Sequence, residues 1–299
     1  MSQPVTIEND AIQLDVWPQF GGRVTSLVDK VDNFDLLFSY PVEYPLESSQ
    51  YDRPYNKGWY AGWDECFPAI APSKYVGHPY DGIPVPDHGE LWSLPTTAVP
   101  TKDGITTVWH GLRFGYRLTR KLSLEGRSIL SEYTLVNLAP FEFRFVWAFH
   151  PLMTMNIPVE IDLPGNPRFR WSHDESQHEI QQEFAWPITE EEGDNLSKPN
   201  ELAPKRGWKV FSCLPITRPI VVRYPSRGRT LTMEYKSDDA MTAYWGIWIS
   251  TGGWGTHHHF SIQPTTGRYD QIDRAIKDAS AGTIGAMGKR VWSVRLSLA

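Results

Sequence analysis

The sequence predicts an all-β protein built as a large antiparallel β-sandwich. Three observations carry that expectation: alternation of apolar and polar residues with period 2 dominates the chain, helical periodicity is scarce, and paired runs are joined by Gly-containing turns. At 299 residues the chain suits a large β domain. No linker divides it and no repeat recurs at a fixed period, so residues 1–299 are read as a single domain.

The N-terminal part contributes strand candidates in "AIQLDVWP", "GGRVTSLVDK" and "FDLLFSYP". Tyr40 to Pro100 follows, dense in Pro, Gly, Tyr and Trp. It is too aromatic for disorder and reads as a loop layer walling a cleft, with Trp59, Trp63, Phe67 and Trp92 flanking it. Phe114, Tyr116, Leu118, Leu122 and Leu124 then face one way and Arg117, Thr119, Lys121 and Ser123 the other. "EGR" turns this strand into "SILSEYTLVNL", which completes a hairpin. In "FEFRFVWAFH" the residues Phe141, Phe143, Phe145, Trp147 and Phe149 fall on one face, and Glu142, Arg144, Val146, Ala148 and His150 on the other. Pro187 to Gly207 reads as a solvated excursion. Strands are expected at Ile220–Tyr224, Thr230–Tyr235, Ala243–Ser250 and His257–Gln263, the last broken at Pro264.

Composition removes several function classes. The net charge is −6, with 29 basic and 35 acidic residues and no basic tract, which argues against a nucleic-acid partner. No run of 18 apolar residues suggests a membrane span, and the N-terminus lacks the basic and apolar regions of a signal peptide. Two cysteines, Cys66 and Cys213, stand in no metal spacing and suit a reduced, cytoplasmic protein. Neither a phosphate-binding glycine loop nor a serine-hydrolase elbow occurs.

Four stretches carry candidate chemistry: "GWDECFPAI", "PDHGELW", "FHPL" and "SIQPTTGRYD". His150 sits opposite an aromatic core face. His88 lies between Asp87 and Gly89, where Asp87 or Glu90 can orient its ring. Histidine is suited to proton exchange near neutral pH. His257, His259, Ser261 and Gln263 share one strand face. The two histidines, two residues apart, are near enough to hold a metal, but no matching second half of such a site is visible and polar lining of a cleft is the better account.

In their order along nearly the whole chain ("GGRVTSL", "GWDECFP", "DHG", "FHP", "QPTTGRYD"), these stretches resemble the aldose 1-epimerase, or galactose mutarotase-like, superfamily, and within it divergent members with a "GWDE-FP" loop. The resemblance implies a β-supersandwich with a monosaccharide on the concave face of one sheet. It also implies anomer interconversion by general acid and base, with no cofactor or metal. It assigns His88 to substrate hydrogen bonding and His150 to the acid at the ring oxygen. The family's glutamate base falls on Gln263, an amide that cannot take up a proton near neutral pH. Two expectations follow. In one, the chain is an epimerase-type isomerase with a base relocated to Asp64, Glu65 or His259. In the other, it is a carbohydrate-binding protein that has lost the chemistry. Asp64, Glu65, Asp87, Trp63, Trp92, His257 and His259 make up the expected substrate-binding set.

Overall fold

The computed structural model describes residues 3–40, 50–174, 182–189, 193–237, 241 and 243–299. Two sheets dominate, with 12 and 8 strands among the described residues. The larger sheet runs from Val5–Glu8 at one edge through Ile12–Trp17, Arg23–Asp29, Trp63–Cys66, Ala148–Pro151, His258–Thr265, Tyr244–Thr251, Gly207–Ser212 and Arg168–Asp174 to Glu183–Ala185. The smaller one holds the predicted hairpin, Tyr116–Glu125 with Ser128–Asn137, beside Lys289–Leu298 and Gly104–His110. Every strand-to-strand pairing within these two sheets is antiparallel.

Alternation explains why the sheets stack. Tyr116, Leu118, Leu122 and Leu124 are buried while Arg117, Lys121 and Glu125 are exposed, as the period-2 pattern predicts. One apolar core takes in side chains from Ile7 to Leu298 and fills the space between the sheets. A smaller aromatic cluster, containing Phe38, Tyr55, Tyr60 and Trp92, lies apart from it.

The structure departs from the sequence reading in several places. "GWDECFP" is no loop: Trp63–Cys66 is a strand of the large sheet, buried on both faces. Near-continuous burial hides the alternation that betrays a half-exposed strand. "FDLLFSYP" yields only the two-residue strand Phe34–Asp35. "FEFRFVWAFH" breaks into Phe143–Phe145, which pairs with Gly282–Ile284, and Ala148–Pro151 in the large sheet. Phe141 lies before both and is 40% exposed. Pro264 does not end its strand, which continues to Thr265 opposite Tyr244. Pairing on the other side is interrupted between Phe260 and Thr265, a setting that tolerates proline. Within the excursion from Pro187 to Gly207, Leu196 is fully buried in the core. Its residues 190–192, like residues 41–49 of the aromatic segment, lie outside the described residues.

Candidate active site

Register on the large sheet decides which side chains meet. Asp64 is the Cα partner of His150, Cys66 of Ala148, and Ala148 of Thr265. Gln263 shares the face of Thr265, two residues away. The outer face of the sheet's centre therefore collects Asp64, Cys66, His150 and Gln263, and Lys209 joins them from Gly207–Ser212. The turn that bears His88 closes over this face. His88 and Gly89 both have left-handed backbone, with φ of 57° and 73°. A Cβ on Gly89 would come within 2.0 Å of the Phe67 carbonyl oxygen, so only glycine lets the turn seat against "ECFP".

A cavity of about 320 Å³ opens there, lined by Tyr55, His88, His150, Lys209, Gln263 and Asp270 among others. That volume lies at the small end of the roughly 300–1,000 Å³ usual for ligand sites. Its two histidines have ring centroids 5.0 Å apart. Each is anchored through Nδ1 by an aspartate: Asp64 Oδ1 lies 2.8 Å from His150, and Asp87 Oδ1 lies 2.8 Å from His88. Asp64 is itself fixed by Arg23, at 2.5 Å, and by the Tyr55 hydroxyl, which donates at 2.9 Å. The Tyr55 ring stacks on His88 at 3.7 Å. Trp92 packs edge-on against Tyr55 and donates from Nε1 to the Asp87 carbonyl.

Burial sets the charge states. It works to raise the Asp64 carboxyl, but the Arg23 guanidinium and the His150 hydrogen bond outweigh it and bring the pKa down to about 2. Burial lowers His150 to about 4, against the opposing pull of Asp64. At neutral pH, His150 is thus a neutral ring whose Nδ1–H donates to Asp64. Its Nε2 is left as an acceptor. An acid at the sugar's ring oxygen would need the imidazolium, so the role that the resemblance gave His150 does not fit this environment.

Lys209 stands across the cavity. Its Nζ donates to Gln263 Oε1 and lies 3.6 Å from Asp270 Oδ1. Burial lowers its pKa from 10.5, opposed chiefly by the Asp270 charge. Gln263 Nε2 and Asp270 Oδ1 are buried with no hydrogen-bond partner, whereas Asp270 Oδ2 accepts from Ser172 Oγ at 2.5 Å. Trp248 and Trp254 supply the aromatic wall.

Of the residues expected from sequence, His88, His150, Asp87 and Gln263 come together on the cavity wall. Asp64 and Trp92 stand behind it, Asp64 against His150 and Trp92 against Tyr55. Trp63 and Glu65 are corrections: alternation turns both toward the other sheet, where they are fully buried. There Glu65 accepts from Trp63, Arg120, Tyr133 and Trp147, so it reaches no ligand. Phe67 likewise packs in the inter-sheet core against Tyr116. His259 is fully buried, stacks on Phe38 and accepts from Trp248 Nε1 at 3.1 Å. Burial depresses its pKa to about 3, and with Nε2 engaged by Trp248 and the ring off the cavity wall it is not placed to meet a ligand in this cavity. His257 packs against Phe38 and Tyr40, off the cavity wall, and shares Phe38 with His259, so the two histidines keep one face but do not line the cavity. Cys66 Sγ and one ring nitrogen each of His88 and His150 do converge, within 4.8 Å of one another.

Sequence reasoning missed Lys209, Tyr55, Trp248 and Trp254. Lys209 had a visible signal, a lone cation inside the apolar run "GWKVFS". Asp270 closes the quoted "SIQPTTGRYD" but was given no role.

No family model matches the sequence, and neither does any curated protein. Solved structures do match. The Slr1438 protein of Synechocystis sp. PCC 6803 superposes with a TM-score of 0.74 at 16% identity, covering 100% of this chain and 96% of its own. A galactose mutarotase-like protein from Lactobacillus casei gives 0.73 at 16%, covering 99% and 100%. A provisionally assigned aldose 1-epimerase from Escherichia coli K12 gives 0.70 at 15%, covering 99% and 98%. With two stacked antiparallel sheets matched over their full length, the chain has the galactose mutarotase-like β-sandwich fold.

Proposed function

We propose that the protein is an aldose 1-epimerase-type isomerase that interconverts the anomers of a free monosaccharide or a derivative of one. The observation that carries this reading is the pairing, across one small cavity, of a neutral imidazole anchored by a carboxylate with a buried ammonium. Mutarotation needs one group to take the anomeric hydroxyl proton and another to protonate the ring oxygen. His150 Nε2 is the acceptor, and Asp64 behind it stabilises the imidazolium that forms. Lys209 is the donor, held by Gln263 and Asp270. Ring opening, rotation about C1–C2 and reclosure on the other face return both protons. Gln263, at the family's base position, becomes a hydrogen-bonding group. His88 binds a hydroxyl, and Trp248 and Trp254 offer flat faces to the sugar's C–H surface. The setting we infer is the cytoplasm, since both cysteines are free. Among the described residues no helix is long and apolar enough to cross a membrane.

Polarimetry on a panel of aldoses and aldose derivatives tests this. The wild type should accelerate mutarotation of at least one sugar. His150→Ala and Lys209→Met should each remove roughly 10²–10⁴-fold of that acceleration, the usual worth of one positioned acid or base. The substitution at Gln263 favours a second reading, a sugar-binding protein without chemistry. In that case the wild type binds a sugar, the spontaneous rate stays unchanged, and Gln263→Glu creates activity.

A further inference from the structure

We propose that Cys66, His88 and His150 form a metal site for Zn²⁺, with its fourth position open to the cavity, and that the ion competes with mutarotation for His150. Three features support it. The donor atoms of these residues already lie within 4.8 Å of one another. A tetrahedral Zn²⁺ with bonds of about 2.0–2.3 Å needs donors about 3.3–3.6 Å apart, so a closure of roughly 1 Å suffices. Both histidines are oriented as metal-binding histidines usually are, with Nδ1 on a carboxylate. That second shell fixes the ring and leaves Nε2 for the metal. Finally, Cys66 comes from the same strand face as Asp64 and is fully buried. A thiolate there, produced when the metal displaces the thiol proton to solvent, gains its counter-charge from the ion.

The ligand set is Cys–His–His, a borderline-soft combination suited to Zn²⁺ rather than Mg²⁺ or Ca²⁺. It spans two strands and the turn that covers them, so no sequence spacing announces it. The consequence rests on the isomerase reading. Zn²⁺ on His150 Nε2 occupies the lone pair that takes the anomeric proton, so the metal-loaded protein is inactive and chelation restores it.

The test separates the two claims. Protein purified without a histidine tag and treated with a chelator is titrated with Co²⁺ alone. A thiolate-to-cobalt charge-transfer band and the intense visible bands of four-coordinate cobalt are expected. Zn²⁺ should abolish both by displacement. Cys66→Ser should remove the charge-transfer band, and Cys213→Ser should keep it. Asp64→Asn and Asp87→Asn should each weaken Co²⁺ binding by about 10–100-fold. A folded wild type with no charge-transfer band overturns the site, as does a band that survives Cys66→Ser. These arms need no activity, so they stand even if no sugar is turned over. Where a turned-over sugar is known, Zn²⁺ should stop the reaction at a concentration that rises about tenfold or more in Cys66→Ser. Saturation with Zn²⁺ without loss of rate overturns the competition.

Discussion

Asp64 and Glu65 are adjacent in sequence, both buried, and each is paired with a buried arginine, yet they end in opposite states. Asp64 faces outward to the cavity side, where Arg23, Tyr55 and His150 meet it, and its pKa falls to about 2. Glu65 faces the other sheet, where burial outweighs Arg120 and the hydrogen bonds of Tyr133 and Trp63 and lifts it to about 7. One step along a strand reverses the face, and the face decides whether a carboxylate meets the cavity or the core between the sheets.

Four substitutions break or sharpen that contrast. The largest effect belongs to Asp64→Asn. On the isomerase reading it leaves His150 in place but removes the charge that would stabilise its imidazolium, so mutarotation should slow by about 10²–10⁴-fold. The acid limb of the pH–rate profile should also move, which a merely structural role would not produce. Glu65→Gln should leave the rate per folded molecule unchanged. Next comes Glu65→Ala, which strands Arg120 between the sheets. Urea denaturation should show a loss of about 3–5 kcal/mol, the cost of breaking a buried pair.

The third effect concerns pH. The folded protein holds the Glu65 proton to about pH 7, whereas the unreferenced carboxyl value is 4.5. The stability this gives is complete below pH 4.5 and is lost as pH rises through 7. Asp64 runs the other way: its contribution is complete above 3.8 and is lost as pH falls through about 2. His150 and His259, depressed from 6.5 to about 4 and about 3, also lose stability as pH falls, so the raw curve mixes signs. The difference between wild type and Glu65→Gln isolates the glutamate. Urea midpoints should show the wild type's advantage shrinking from pH 4.5 to 7. A difference that grows over this window would contradict the assignment. The smallest effect is that of Tyr55→Phe, which removes one hydrogen bond to the ionised Asp64 and should cost about 1.5–3 kcal/mol by the same measurement.

Much of the fold was legible because half-buried strands print their pattern. The hairpin from Tyr116 to Asn137 forms residue for residue as the alternation requires, and the parity that set His150 against Phe149 holds. Trp63–Cys66 was not legible, since a strand covered on both faces has no polar side to alternate with. The site divides along the same line. His88, Asp87, His150 and Gln263 stand beside turns and strand ends, where motifs are local. Lys209 approaches from a strand 54 residues before its Gln263 partner, and only the sheet order brings them together. Trp248 and Trp254, rather than Trp63 and Trp92, face the cavity, because the choice depends on which strands flank the central pair.

Gln263 Nε2 is buried with no hydrogen-bond partner, and Asp270 Oδ1, 3.6 Å from the Lys209 ammonium, is buried and accepts no hydrogen bond; this has a bearing on selectivity. A ligand whose hydroxyls reach both atoms satisfies them. A deoxy analogue that lacks one of those hydroxyls covers the atom and leaves it dry, at a cost of about 1–3 kcal/mol, or roughly five- to a hundredfold in affinity. On the sugar reading, the cavity therefore discriminates less by the shape it encloses than by the hydroxyl it finds missing.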